Sequence, residues 1–330
     1  MSWKDLWRKQ ATDWTFGVLQ ANQVPNGLES SPIEAHKAYV NIFLRSMRVV
    51  NVRQGLKKFY GTVHCFITLP HILNQKAEFH VLTTPTRLSD IDAHNVDRII
   101  QMNHRLLGPV PYRGGDIKME LGLFSIESVD YAGPFLKILE SIATSAGVSY
   151  INMAIPFMGS LNEGVNLLFG IGKGITLEVG LSNTFDKPFS GYFVVVRAPK
   201  NKIELSNLRL DNDYRLIDNN GEAITEYPYL VFSLDASAKR EAWFEIPEIA
   251  TAYKVVIDAV RTGNAKTTQE AFTIFKRITL TSPDLLIDDA ERLVTKVGDE
   301  LKRVLRTVRG RTMRDFPAIK NLDKIDLYES

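Results

Sequence analysis

All six histidines of this chain fall between His36 and His104: His36, His64, His71, His80, His94 and His104. Crowded imidazoles suit a metal centre or proton-transfer chemistry. The spacing does not support either. No two stand four residues apart, the separation that places two ligands on one helix face, and none lies beside a pair of cysteines. Adjacent strands would have to bring His64 and His80 together, and an assembled enzyme site would draw on these two and Asp116. The pattern otherwise reads as ordinary strand and loop histidines. Cys65 follows His64 directly, so on a strand the two point to opposite faces and cannot act as base and nucleophile. Cys65 reads as a small buried apolar residue.

Other chemical motifs are incomplete. Gly159-Ser160 lacks the Gly-x-Ser-x-Gly frame of a nucleophile elbow. Gly170, Gly172 and Gly174 lack the Gly-Lys-Ser/Thr ending of a phosphate loop, and they read as a hairpin tip. Asp211, Asp213 and Asp218 do not have the ligand spacing of a calcium loop, so turn capping is expected of them. Asp288 and Asp289 lie about 100° apart around a helix, too far to share a substrate, and suit the positive end of the helix. The residues therefore assign no catalytic group, cofactor or metal.

Residue types suited to contact are better organised. Trp3, Leu6, Trp7, Ala11, Trp14 and Val18 recur at helical spacing, with Lys4, Asp5, Arg8 and Lys9 opposite, and predict an amphipathic N-terminal arm. The segment Gly108-Pro-Val-Pro-Tyr-Arg-Gly-Gly115 predicts a rigid surface loop presenting Tyr112 and Arg113. A basic run of Lys296, Lys302, Arg303, Arg306, Arg309, Arg311 and Arg314 faces only Asp299 and Glu300. It suits phosphates, acidic lipid or an acidic protein surface, or else a solvated helix end.

At 330 residues and 45% apolar composition the chain can bury a large core. A net charge of +2 argues against a general nucleic-acid binder. One cysteine permits no internal disulfide and fits a reducing compartment. Lys4, Asp5, Arg8, Lys9 and Asp13 interrupt any secretory apolar core. Glu163 and several breakers make a spanning helix at 150–172 improbable.

These segments need elements to position them. Strands are expected within 39–52, 60–69, 77–83, 117–123, 192–196 and 229–234. Hairpins are expected over 165–181 and around Asn219-Asn220-Gly221. Two inserted helices are expected, one from Ser89 to Leu107 stopped by Gly108, the other from Phe135 to Ala146. After Asp235 the period becomes helical. A helix from Ile246 to Val260 ends at Gly263, a second opens with a Thr267/Glu270 capping box, and a long third opens at Ser282-Pro283-Asp284. The expected fold is α+β: an antiparallel β-sandwich with inserted helices and a helical C-terminal lobe. The expected parts are an arm and linker (1–34), a sandwich (35–235), a helical lobe (236–310) and a polar tail (311–330). The function this favours is a non-enzymatic, cytoplasmic adaptor or assembly component whose partner is another protein or a second copy. A peripheral membrane or pore-forming role through the arm, the basic helix and the 165–181 hairpin is the alternative, and an enzyme with a scattered site is the third.

Overall fold

A computed structural model describes residues 14–27, 29–50, 53–54, 57–70, 76–82, 99–127, 175–199, 201–308 and 319–329. The expectations for Trp3, Leu6 and Trp7, the 135–146 helix, the 165–174 half of the hairpin, and Arg309, Arg311 and Arg314 lie outside them.

The fold is α+β, with antiparallel sheets followed by a helical C-terminal region. The first sheet joins β1 (Trp14–Leu19), β10 (Phe189–Arg197), β13 (Tyr229–Ser237), β3 (Tyr39–Arg48) and β7 (Ile99–Pro111) in that order, and β2 (Ser31–Pro32) pairs with β10. The second joins β4 (Arg53–Gln54), β5 (Lys57–Pro70), β8 (Ile117–Glu127) and β9 (Ile175–Phe185), with β6 (Lys76–Leu82) also on β5. Strict alternation turns one face of each sheet to a common core. Val40, Ile42 and Leu44 of β3 join Val63, Cys65 and Ile67 of β5 and Met119, Leu121 and Leu123 of β8 in one buried cluster.

The outer face of the first sheet is covered as well. Tyr192, Val194, Val196, Tyr229 and Val231 pack against Leu208, Leu210 and Leu216, from the loops that carry β11 (Arg209–Leu210) and β12 (Leu216–Ile217). The 21–34 linker belongs to this cover. The Gln23 amide donates to Leu205 O and Leu208 O, both at 2.6 Å, and Val24 is buried. Gly17 permits the closest approach, since a β-carbon there would lie 2.1 Å from Leu205 Cδ1.

The helical lobe has its own core, in which Ile249, Tyr253 and Val256 of α1 (Pro247–Arg261), Phe275 of α2 (Ala265–Leu280) and Leu293, Val297 and Val304 of α3 (Ile287–Val308) meet. Gly263 has φ +70 and closes the turn after α1 as expected.

Several expectations need correction. Trp14 and Val18 lie on a strand, so the arm does not run as one helix to residue 20. Residues 99–107 belong to β7 instead of an inserted helix. The cap of α2 is Asn264, whose side chain accepts from the Lys266 and Thr267 N–H groups, and the Thr267/Glu270 box is not used. Helix α3 begins at Ile287, several residues after Ser282-Pro283-Asp284. The described part of the expected polar tail, 319–329, packs on the lobe: Leu322, Ile325 and Leu327 are buried in the helical core.

Candidate functional site

His64 is in register with Leu82 and His80 with Phe66, so the two histidines are diagonal neighbours on one face of the β5–β6 ladder and not a directly opposed pair. Cys65 is fully buried, and burial pushes its thiol pKa up, away from the nucleophilic thiolate. Asp116 is exposed. Asp211 Oδ1 accepts from the Asp213 and Arg215 N–H groups and Oδ2 from Arg215 Nε. Asp218 Oδ1 accepts from the Asn220 and Glu222 N–H groups, which hold its carboxyl below the usual range. Both are turn caps. Among the described residues no three His, Cys, Asp or Glu side chains cluster as metal ligands.

Tyr112 and Arg113 are not a surface recognition loop. Tyr112 is 4% exposed and its hydroxyl donates to Gly115 O at 2.6 Å. Arg113 Nη2 reaches Pro283 O at 3.3 Å and Leu285 O at 3.4 Å, just ahead of α3, and burial lowers its pKa. The segment is a strut between sandwich and helical lobe. Neighbouring contacts complete this seam. Arg240, 1% exposed, donates from Nη1 to Pro109 O at 3.0 Å and Asp284 O at 2.9 Å. Asp289 Oδ2 accepts from Tyr39 Oη at 2.7 Å and Tyr328 Oη at 2.9 Å. Tyr39 Oη in turn accepts from Leu286 N. Burial, then the Asp289 charge, pushes the Tyr39 phenol well up, so it stays a donor. Asp289 therefore does more than complement the helix end.

A second polar centre lies on the outer face of the first sheet. Arg45, 8% exposed, donates from Nε to Ser233 Oγ at 2.8 Å and from Nη2 to Asp235 Oδ2 at 2.7 Å; Nη1 donates to Asn103 Oδ1. Its guanidinium lies 4.5 Å from the Phe43 ring, 5.6 Å from Tyr192 and 5.2 Å from Tyr214. Asn103 and Tyr214 both have positive φ, 37° and 60°. That is an uncommon conformation for non-glycine residues, held here by the surrounding contacts. In the sequence Arg45 stands within the expected 39–52 strand among mostly apolar residues, with no motif that assigns it a role. An arginine amid β-branched residues was the available signal.

The basic run is partly neutralised where it is described. Lys302 pairs with Asp299 at 2.9 Å, and Arg303 grips Glu300 with Nε and Nη2 at 2.8 and 2.7 Å. Arg306 lies on α3, and nothing is shown of its side chain. Beside Lys302 a groove of about 360 Å³ opens between α2 and α3, flanked by half-buried Phe272, Val294 and Leu305. A β-carbon at Gly298 would lie 3.2 Å from the Phe272 ring, so the glycine helps keep this groove open.

Trp14 is the one described member of the aromatic arm. It opens β1 opposite Arg197, at the outer edge of the first sheet. Register places it at the end that holds Tyr229 and Arg48, while Leu19 lies towards the Tyr39 end, where the helical lobe attaches. The ten residues of β3 span about 30 Å between these ends.

Comparison of the chain with protein-family models, with curated proteins and with solved structures gives no match. Among the described residues no helix is long and apolar enough to cross a membrane.

Proposed function

We propose that this protein is a non-enzymatic protein–protein interaction module, a cytoplasmic adaptor or assembly component, that docks through its Trp-rich arm and the basic end of α3. The position of Trp14 carries the reading. The residues that precede it, with Trp3, Leu6 and Trp7, connect directly to an edge strand seated in a packed sheet. A contact made by that segment is thus tied to a rigid body, and less ordering entropy opposes binding than for a tail on a flexible tether. The open groove beside Lys302 supports the α3 end as a second contact.

The test must spare β1, because Phe16 stacks on Phe193 at 6.2 Å and deleting residues 2–20 would strip the core. Trp3→Ser with Trp7→Ser is the suitable variant. Affinity purification of intact and substituted chains should show a specific complex, homomeric or heteromeric, lost on substitution, while the thermal midpoint of the body moves by no more than about 2 °C. A complex that survives the substitutions would sink the reading.

A further inference from the structure

Residues 319–329 form a strap on the helical lobe, with one regular turn at Leu322–Lys324. Leu322, Ile325 and Leu327 are its buried plugs. At one end Lys320 is held between two helices. Its N–H donates to Glu300 Oε1 of α3 at 3.0 Å, and its carbonyl accepts from Tyr253 Oη of α1 at 2.6 Å. At the other end Lys296 Nζ of α3 donates to Glu329 O. Tyr328, next to it, reaches the first turn of α3, so the strap runs back along that helix.

Tyr328 makes the contacts that matter. Its hydroxyl accepts from the Arg240 N–H at 2.7 Å and donates to Asp289 Oδ2 at 2.9 Å. Its ring lies 5.1 Å from Lys239 Nζ and 5.8 Å from the Arg292 guanidinium. Tyr39 of β3 donates to the same oxygen, Asp289 Oδ2, at 2.7 Å. Asp289 is 3% exposed. One buried carboxylate oxygen therefore joins the strap, α3 and the first sheet.

We infer that the strap is a latch on the seam: its closure along α3 and the docking of the helical lobe on the sandwich are coupled through Asp289, so that whatever draws the strap away also loosens the lobe. Burial sets the sign. A hydrogen bond to a charged group is strong in dry surroundings and weak in water. With Tyr328 in place the carboxylate is covered and held in one position for Tyr39. Without it water reaches Oδ2 and competes with the Tyr39 hydroxyl. Tyr39 Oη accepts in turn from the Leu286 N–H at 3.1 Å, so that amide reports the state of the seam. A second route runs through Arg240. Its N–H loses an acceptor when Tyr328 leaves, and its side chain is the bridge to Pro109 O and Asp284 O. The strap is the side that opens first. Local opening is easiest where few apolar groups are buried, and the strap has no helix or sheet ladder of its own. Coupling between two closures is reciprocal, so loosening the seam must also loosen the strap.

Amide exchange of the full chain tests this in both directions. Tyr328→Ala should accelerate exchange at the Leu286 N–H at least about fivefold, the lower end of couplings between sites, while the amides of α2 keep their protection. Tyr39→Phe should accelerate exchange at Leu322 to Leu327 by a similar factor. Unchanged exchange at Leu286 in the folded Tyr328→Ala chain, or an unchanged strap in Tyr39→Phe, overturns the inference. Uniform acceleration that includes α2 would mark a general loss of stability and overturn it as well. Should Tyr328→Ala fail to fold by circular dichroism, Tyr328→Phe, which keeps the ring without the hydroxyl, must itself accelerate Leu286 at least about fivefold. An unchanged Leu286 amide in that chain would overturn the latch.

Discussion

Arg45 is a cation buried on a sheet face with most of its hydration replaced. Asp235 supplies the opposite charge, Ser233 and Asn103 supply acceptors, and the Phe43, Tyr192 and Tyr214 rings supply negative π-faces. Removing one partner of a buried pair costs about 3–5 kcal/mol when the survivor stays dry. The Asp235 side chain is 32% exposed, so water recovers part of that. Arg45→Ala should therefore destabilise the protein by about 2–3 kcal/mol in urea denaturation. Arg45→Lys should lose about half as much, since an ammonium keeps the charge but not the planar fork. A loss below about 0.5 kcal/mol for the alanine variant would mean that the cluster contributes no more than an exposed surface pair.

At the scale of elements, the C-terminal segment is held by a carboxylate. Glu300 accepts two hydrogen bonds from Arg303 and one, at 3.0 Å, from the Lys320 N–H. The Arg303 hydrogen bond, ahead of the Lys320 bond and the nearby charge, holds the Glu300 carboxyl below its ordinary value. A depressed folded-state pKa gives stabilisation that is complete above the unfolded value, near 4.3, and is lost as pH falls through the lower folded value. Amide exchange at 320–327, corrected for intrinsic rates, should therefore accelerate between pH 6 and pH 3. Glu300→Gln should exchange faster at pH 6 and show a flatter pH response. Equal pH responses in both chains would rule the anchor out. This contact was not legible in the sequence, because it joins residues twenty apart in the chain. The strands of the sandwich core were legible, since Val63-Cys65-Ile67 and Met119-Leu121-Leu123 alternate strictly. Strand β7 was not. Its three register shifts break the two-residue period, so Ile99, Ile100 and Leu107 mimic a helical stripe. Trp14 misled for a related reason: 14 and 18 fit a helical spacing and also a strand's even positions. Arg113 looked like part of a recognition loop because its partners, Pro283 and Leu285, are about 170 residues away in the chain.

At the scale of the whole molecule, the described residues form three hydrophobic cores, one between the sheets, one on the outer face of the first sheet and one among the helices, and the helical core shares no buried member with the other two. Polar contacts tie the helical core to the sheets. Arg240 bridges Pro109 O of β7 and Asp284 O ahead of α3, and Tyr39 of β3 bonds to Asp289 of α3. Arg240 and Asp284 are each 1% exposed, with Nη1 and Oδ1 3.9 Å apart. Truncating the arginine removes one of the cations that act on the buried Asp284 carboxylate, Arg113 being another, and takes a donor from the Pro109 and Asp284 carbonyls, a cost of about 3 kcal/mol. That cost falls on the seam and not on either core, so the lobes should lose their coupling before they lose their folds. Arg240→Ala should split the calorimetric unfolding of the chain into two transitions, with enthalpies that sum to the parent value. Arg240→Met, which restores length without a donor, should not rejoin them. A single transition merely shifted to lower temperature in Arg240→Ala would show that the lobes are coupled through something other than this seam.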